Sequence, residues 1–238
     1  TWGHISAKEI AKLHEQGVNL GGDISPEQIL GVQFWCETCM RSKFTRLRHK
    51  KRSRRKPPPD VKCGQHLICD IITRRTKSIE YIDTTGKKKG GNRFALYVMC
   101  EASGRAWTAP LNHKSDLEQT LKDMIAHIEI QMRKSCDWDG GKPKVFRMTS
   151  DRDANITSYR AMADLLGAKI EQVLTAPHSS NQIPRLDQRI ARLLSVMRPL
   201  LEGAGLGLKY WEFAMQFALH VVNHTPCTAN VLGRSPMH

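Results

Sequence analysis

The chain has 238 residues, of which 40% are hydrophobic and 25% are charged, so it can bury a core and is not a disordered tail. The 37 Lys and Arg residues outnumber the 23 Asp and Glu residues, giving a formal net charge of +14. This surplus indicates a polyanionic partner, nucleic acid first and an anionic membrane surface second. The longest uncharged stretch, residues 213–233, contains several polar residues, and we therefore predict no membrane span. Seven cysteines cannot all pair within the chain, which favours a reducing compartment, the cytosol or the nucleus.

The cysteines and histidines of residues 1–40 indicate a small zinc-binding domain. Cys36 and Cys39 form a C-x2-C pair, and two thiolates at this spacing can share one tetrahedral zinc ion. His4 is the predicted third ligand. Two alternatives stay open for the fourth ligand, His14 or a residue upstream of the first position. Because the chain does not begin with methionine, we expect it to start within a longer polypeptide.

Residues 41–62 predict a basic linker. Ten Lys and Arg residues and no acid lie between positions 41 and 56, and three prolines at positions 57–59 then prevent a helix. One interpretation is a solvated connector, and another is a nuclear-import signal that uses the same residues. We favour contact with the phosphate backbone of duplex DNA, since the run has a single aromatic residue for base stacking. The predicted phosphate contacts are Lys50, Lys51, Arg52, Arg54 and Arg55.

Residues 63–238 predict a larger unit of mixed α/β class. Its apolar runs of strand length are followed by alternating helical and strand patterns, and a Ser103-Gly104 turn is expected to join the second and third strands. The predicted strands are residues 66–72, 94–100, 105–111, 144–149 and 170–174. This order predicts a mixed five-stranded sheet with helices on both faces.

Helical spacing of apolar residues predicts four helices in the same unit. The first covers residues 117–132 and is opened by a capping box of Ser115 and Glu118. The second begins at about residue 156 and is expected to stop at Gly167. The other two are predicted around residues 186–197 and 208–222.

Three acids in this unit stand out by their position. Asp70 interrupts an apolar strand, where a carboxylate costs free energy unless a cation satisfies it. Asp151 follows a predicted strand and, taken singly, fits a turn or cap residue. Asp187 lies in the first turn of a predicted helix, where an acid stabilises the helix dipole. Taken together, carboxylates that converge from separate elements predict a site for two divalent metal ions acting on a phosphodiester.

Three arginines flank the third acid on the same predicted helix. Arg185, Arg189 and Arg192 are candidate contacts to DNA phosphate, and a solvated helix face is the alternative interpretation.

The motifs, read in order, resemble the integrase of copia-type LTR retrotransposons, which is related to retroviral integrases and to the D,D-35-E transposases. Asp151 and Asp187 are separated by 35 residues, the signature gap of that group. The segments that carry the resemblance are Gly3-His4-Ile5 with Cys36-Glu-Thr-Cys39, His66-Leu-Ile-Cys-Asp70, Thr149-Ser-Asp-Arg-Asp153, Thr175-Ala-Pro-His-Ser-Ser-Asn-Gln182, Gly203-Ala-Gly-Leu206, Trp211, Asn223-His-Thr-Pro226 and Gly233-Arg-Ser-Pro236.

The resemblance implies an RNase H-like catalytic core that holds Mg²⁺ or Mn²⁺ on Asp70, Asp151 and Asp187. It implies an HHCC module that binds structural Zn²⁺, and it implies 3′-end processing or strand transfer of element DNA into double-stranded target DNA. It further implies a homo-multimer, release from a polyprotein, and localisation in the nucleus with a cytoplasmic virus-like particle stage.

Two departures from the family pattern keep other functions open. Asp187 stands where the family has glutamate, and Ile183-Pro184 stands where the family has Asn-Gly. A catalytically impaired DNA-binding or assembly scaffold, derived from an integrase, is therefore the main alternative. A nuclease or a DNA transposase on the same fold is the third.

Overall fold

A computed structural model describes residues 7–16, 25–31, 63–135, 144–150, 165, 167–174, 184–226 and 236. The helices are α1 (Ala7–Glu15), α2 (Pro26–Gly31), α3 (Leu117–Ser135), α4 (Pro184–Gly203) and α5 (Trp211–His224). The strands are β1 (His66–Thr73), β2 (Tyr81–Ile82), β3 (Lys88–Lys89), β4 (Phe94–Cys100), β5 (Ala106–Leu111), β6 (Arg147–Ser150) and β7 (Glu171–Leu174). Short 3-10 turns at Lys114–Asp116 and Leu208–Tyr210 precede α3 and α5.

Five strands form one mixed sheet in the order β5-β4-β1-β6-β7. Strand β4 pairs antiparallel with both β1 and β5. On the other side, β6 pairs parallel with β1, and β7 pairs parallel with β6. Parallel neighbours need a long crossover, and α3 lies in the connection between β5 and β6. The mixed five-stranded sheet predicted from the sequence is confirmed.

Helices cover both faces of this sheet, and β1 contributes alternate residues to each. We call the first face the α3 face and the second the α4 face. The α3 face packs strand residues against α3, and its buried members include Leu67, Cys69, Leu96, Val98, Met148, Leu121, Ile128 and Met132. The α4 face packs strand residues against α4 and α5, and its buried members include Ile68, Ile72, Tyr97, Met99, Leu186, Leu193, Met197, Trp211 and Met215.

The start of α3 differs from the prediction. The carboxylate of Asp116 accepts a hydrogen bond from the backbone N–H of His113 at 3.1 Å, ahead of a 3-10 turn. Glu118, predicted to close a capping box with Ser115, instead pairs with Lys122 one turn later at 3.3 Å. The predicted box is therefore wrong by two residues, because the chain enters the helix through that extra turn.

The helix that precedes β7 ends at the predicted residue, but a different residue caps it. Gly167 is still helical, and Lys169 takes the left-handed conformation, with φ 59°. The backbone N–H of Ile170 donates to the carbonyl of Leu165 at 2.8 Å, which is the longer bond of a Schellman cap. Gly167 is therefore the last helical residue, as predicted, and Lys169 fills the left-handed position that glycine usually takes.

The sequence patterns did not predict the small β2–β3 hairpin. Asp83 organises its turn, since Asp83 Oδ1 accepts bonds from the N–H groups of Thr85 at 2.8 Å and Lys87 at 2.9 Å. Gly86 follows with φ 77°, which a glycine adopts without steric cost. The loop after the hairpin is tied to α5 by Asn92, whose Nδ2 donates to Glu212 at 2.8 Å.

Helix α5 also fastens β5. The side chain of Asn223 accepts from the backbone N–H of Ala106 at 2.9 Å and donates to its carbonyl at 2.8 Å. Both groups are buried, so this side chain satisfies backbone atoms that would otherwise cost free energy.

The N-terminal helices α1 and α2 pack against each other, with Ala11, Leu13 and Ile29 buried. A reciprocal capping box opens α2: Gln28 N–H donates to Ser25 Oγ at 3.2 Å, and Ser25 N–H donates to the Gln28 side chain at 2.8 Å. The predicted zinc ligands His4, Cys36 and Cys39 and the predicted linker contacts Lys50, Lys51, Arg52, Arg54 and Arg55 lie outside the described residues. In the described part of the chain, no helix combines the length and the apolar character that crossing a bilayer requires.

Candidate active site

Asp70 lies in the middle of β1 and points to the α4 face. It alternates with Ile68 and Ile72, which are both buried against α4 and α5, and it stands opposite Tyr97 of β4. Its side chain is partly buried, and Asp70 Oδ1 accepts a hydrogen bond from the N–H of Ile71 at 2.7 Å. A carboxylate thus sits on an otherwise apolar stretch of strand, as the sequence predicted.

Strand β6 lies beside β1 and leads towards the second predicted acid. The parallel register pairs Thr149 with Ile68 and the fully buried Ser150 with Cys69. Asp151 is the next residue in the sequence, and it lies outside the described residues. Its assignment as a metal ligand stays a prediction.

Asp187 lies in the first turn of α4 and is exposed to solvent. Its neighbour Leu186 is only 1% exposed and belongs to the same buried cluster as Ile68 and Ile72. The first turn of α4 is therefore anchored on the face of the sheet that carries Asp70. Within the described ranges, no three His, Cys, Asp or Glu side chains are grouped so as to bind a metal ion.

A polar network lies at the same end of α4, where β1 begins. The His66 ring contacts the Glu101 carboxylate through Nδ1 and lies 2.7 Å from Thr149 Oγ1 through Nε2. Arg185 Nη1 lies 3.9 Å from the other carboxylate oxygen of Glu101. The hydrogen bond from His66 is the largest cause that holds the pKa of Glu101 below its usual value, and the positive charge of Arg185 acts in the same direction. Glu101 is therefore an ionised, largely buried acid with two partners.

Sequence reasoning missed His66 and Glu101 as site residues. The signal was present, since one polar group opens an apolar strand and the other directly follows one. That pattern alone gives no indication that the two meet, because the contact depends on the antiparallel pairing of β1 with β4.

The three arginines of α4 have different environments. Arg189 is 6% exposed and its Nη2 donates to the carbonyl of Gly104 at 2.7 Å. This burial contradicts the predicted phosphate contact and makes Arg189 a structural tie between α4 and the β4–β5 turn. Arg192 is half-buried and pairs with Glu9 of α1, and Arg185 belongs to the Glu101 network.

A concave region of about 570 Å³ lies at the outer edge of β5 between α3 and α5. Its polar groups largely bond to one another: Gln131 Oε1 accepts from Arg105 Nη2 at 2.7 Å and from Trp107 Nε1 at 2.9 Å. The rings of His220 and His224 are 4.1 Å apart, and burial lowers the pKa of His220, with a smaller contribution from the neighbouring His224. The region is separate from Asp70, which faces α4 further inside the sheet.

No protein-family model matches the chain. Among solved structures, the chain is similar to the HTLV-2 integrase catalytic core domain in complex with magnesium, in its trimeric form. The two are 11% identical, the match covers 74% of this chain and 97% of that chain, and the TM-score is 0.47. The likeness is to an integrase core in general and does not extend to the copia type. A likeness this remote transfers no residue role, metal or activity to this chain.

Proposed function

We propose that this chain is a retrotransposon integrase of the copia type, a metal-dependent polynucleotidyl transferase that joins element DNA to target DNA. The observation that carries the proposal is the position of Asp70. It is a carboxylate in the middle of an apolar strand, on the face that α4 covers and beside the strand that leads to Asp151. An ionised carboxylate in such a place costs free energy that hydrogen bonds or a bound cation can offset.

The proposed ligands of Mg²⁺ or Mn²⁺ are Asp70, Asp151 and Asp187. The donor set fits these ions, because all three groups offer hard carboxylate oxygen, which both ions prefer. Asp70 is partly exposed and Asp187 is exposed, so both can be reached from solvent. When bound, two such ions would activate an attacking oxygen and stabilise the leaving oxygen of a phosphodiester.

The protein's own part in the reaction is to bind and orient the two DNA molecules. In the joining step, the 3′-hydroxyl of the element end attacks a target phosphodiester in line, the new P–O bond forms, and the target 3′-oxygen leaves. No side chain becomes covalently attached to DNA. The basic linker of residues 41–62 would hold phosphate backbone near the core through the ten Lys and Arg residues at positions 41–56.

The same proposal covers the remaining parts of the chain. Residues 1–40 form a zinc-binding domain with His4, Cys36 and Cys39 as ligands, and residues 63–238 form the catalytic core. The protein acts as a homo-multimer in the nucleus, after a stage in cytoplasmic particles. Zinc measured in the purified protein, and lost in Cys36→Ser, checks the first domain.

A strand-transfer assay with Mn²⁺ and labelled element ends tests the central claim. Asp70→Asn should abolish joining, whereas Glu202→Gln, which neutralises an exposed acid at the far end of α4, should leave joining unchanged. Asp187→Glu should raise the yield of joined product, because the longer side chain restores the residue that the resembled family uses. Joining that survives Asp70→Asn would contradict the proposal.

The second candidate is a non-catalytic scaffold, and the observation that favours it is aspartate at position 187. It predicts duplex binding without joined product, both in the natural chain and in Asp187→Glu. Hydrolysed ends without joining would instead indicate a nuclease.

A further inference from the structure

One polar network touches the two elements that carry Asp70 and Asp187 and the strand that precedes Asp151 in the sequence. His66 opens β1, the strand of Asp70, and Arg185 lies in the first turn of α4, two residues before Asp187. Thr149 lies on β6, two residues before Asp151. Glu101, at the end of β4, joins His66 to Arg185, and His66 in turn reaches Thr149.

The network is shielded from water, so its bonds hold their geometry. The side chains of His66, Glu101 and Arg185 are 11%, 18% and 17% exposed. The buried charges of Glu101 and Arg185 would be strongly destabilising if one partner were lost, and the two stay paired only when β4 and α4 keep their relative positions. The backbone strengthens the arrangement, because the N–H of Glu101 donates to the carbonyl of His66 at 3.0 Å.

A second tie fixes α4 at the next turn. Arg189 donates to the carbonyl of Gly104, in the same β4–β5 turn that holds Glu101. Asp187 lies between these two anchored positions on the helix and is itself exposed. The first two turns of α4 are therefore bonded to the sheet through Arg185 and Arg189, while Asp187 between them faces solvent.

We propose that Glu101 is a positioning residue, which sets the spacing of the metal-binding acids by joining β1 to the first turn of α4. The inference rests on the proposed function, since it assigns Glu101 a role towards the same metal ions. Glu101 does not bind the metal itself. It acts through its contacts with His66 and Arg185. The contact between His66 and Thr149 also fixes the position of β6, the strand that precedes Asp151.

Direct Mn²⁺ binding, measured by titration calorimetry on the full chain, tests this role without relying on activity. Glu101→Gln keeps the shape of the side chain and an acceptor for His66, but it removes the charge that attracts Arg185. The Mn²⁺ concentration for half-saturation should rise roughly 10-fold, the lower end of the range for outer-shell substitutions. Glu101→Asp, which keeps the charge, should recover part of that loss.

A matched control separates positioning from general stability. Glu129 on α3 also ties two elements together, since Glu129 Oε1 accepts from the N–H of Val145 at 3.1 Å, but it lies on the opposite side of the sheet. Glu129→Gln removes the charge but keeps the acceptor of this bond, so it should lower the unfolding temperature slightly and leave Mn²⁺ binding unchanged. Thr149→Val removes one contact of the network without burying a new charge, so it offers a test if Glu101→Gln does not fold. It should raise the Mn²⁺ concentration for half-saturation roughly threefold, a smaller effect than the loss of a charge is expected to have.

The outcomes distinguish the two proposals. Mn²⁺ binding that is lost in Asp70→Asn but unchanged in both Glu101→Gln and Thr149→Val would overturn this inference alone. Mn²⁺ binding that Asp70→Asn does not weaken would overturn the proposed function, and this inference with it. A shift in Glu129→Gln as large as that in Glu101→Gln would reduce Glu101 to a structural residue.

Discussion

The two faces of the sheet differ in chemical character although the same strands build both. The α3 face is closed by apolar side chains such as Leu67, Val98 and Ile128. The α4 face is apolar at its centre, but it also carries Asp70 and, where β1 begins, the His66–Glu101 pair.

This difference shows how one strand serves two purposes. Alternate residues of β1 point to opposite faces, so Leu67 and Cys69 complete an apolar core while Asp70 is held on the other side. A rigid, well-packed face on one side allows the other to keep charged groups in fixed positions, as the proposed metal site requires.

The largest effect is expected from a cavity on the α3 face. Ile128→Ala, at a side chain that is 0% exposed, should lower the free energy of unfolding by about 2–5 kcal/mol. Ile130→Ala on the same helix, where the side chain is 52% exposed, should cost far less. Urea denaturation measures both. Equal losses would contradict the packing described for α3.

The next largest effect should come from the polar bond between α5 and β5. Asn223→Ala leaves the N–H and the carbonyl of Ala106 without the side-chain bonds they make, which should cost about 2 kcal/mol. Gln216→Ala, at an exposed position of the same helix, is the matched control and should change little. Thermal unfolding measures both variants. Equal unfolding temperatures for Asn223→Ala and Gln216→Ala would contradict the stabilising role of this bond.

A smaller effect, specific to pH, is expected at Glu101. Its pKa is lowered in the folded state, so its contribution to stability is present above its usual pKa and is lost as the pH falls through the lowered value. On acidification, the free energy of unfolding of the natural protein should therefore fall by about 1.5 kcal/mol more than that of Glu101→Gln. Unfolding measured from neutral to acidic pH checks this, and parallel curves for the two proteins would rule out the ionised pair.

The smallest effect is expected on the solvent side of α3. Lys122→Ala removes an exposed pair with Glu118 one turn away and should cost about 0.3–0.5 kcal/mol. High salt should erase the difference in urea denaturation, because both charges are partly solvated. A loss above that of Asn223→Ala would show that surface charge matters more here than buried polar bonds.

The sequence predicted the sheet because its strands are long apolar runs, and it predicted Asp70 because an acid interrupts one of them. The β2–β3 hairpin escaped prediction, since each strand has two residues and both residues of Lys88–Lys89 are exposed. Only the Asp83 to Gly86 turn carried a signal for it.

The contacts around the candidate site could not be read from local patterns. Glu101 meets Arg185, which is far away in the chain, and only the packing of α4 on the sheet brings them together. Arg189 was within reach of prediction: it lies three residues after Leu186 and four before Leu193, on the buried stripe of α4. A charged residue in such a stripe indicates a structural tie more often than a phosphate contact.

The bond between Asn223 and Ala106 has a consequence for association. Strand β5 is at one edge of the five-stranded sheet, where exposed backbone groups invite another chain to add a strand and start aggregation. The outward N–H and carbonyl of Ala106 are already taken by the Asn223 amide, and Pro110 further along has no N–H to offer. Part of the β5 edge is therefore already bonded or lacks a donor, which disfavours the addition of a strand from a second copy at Ala106 and Pro110.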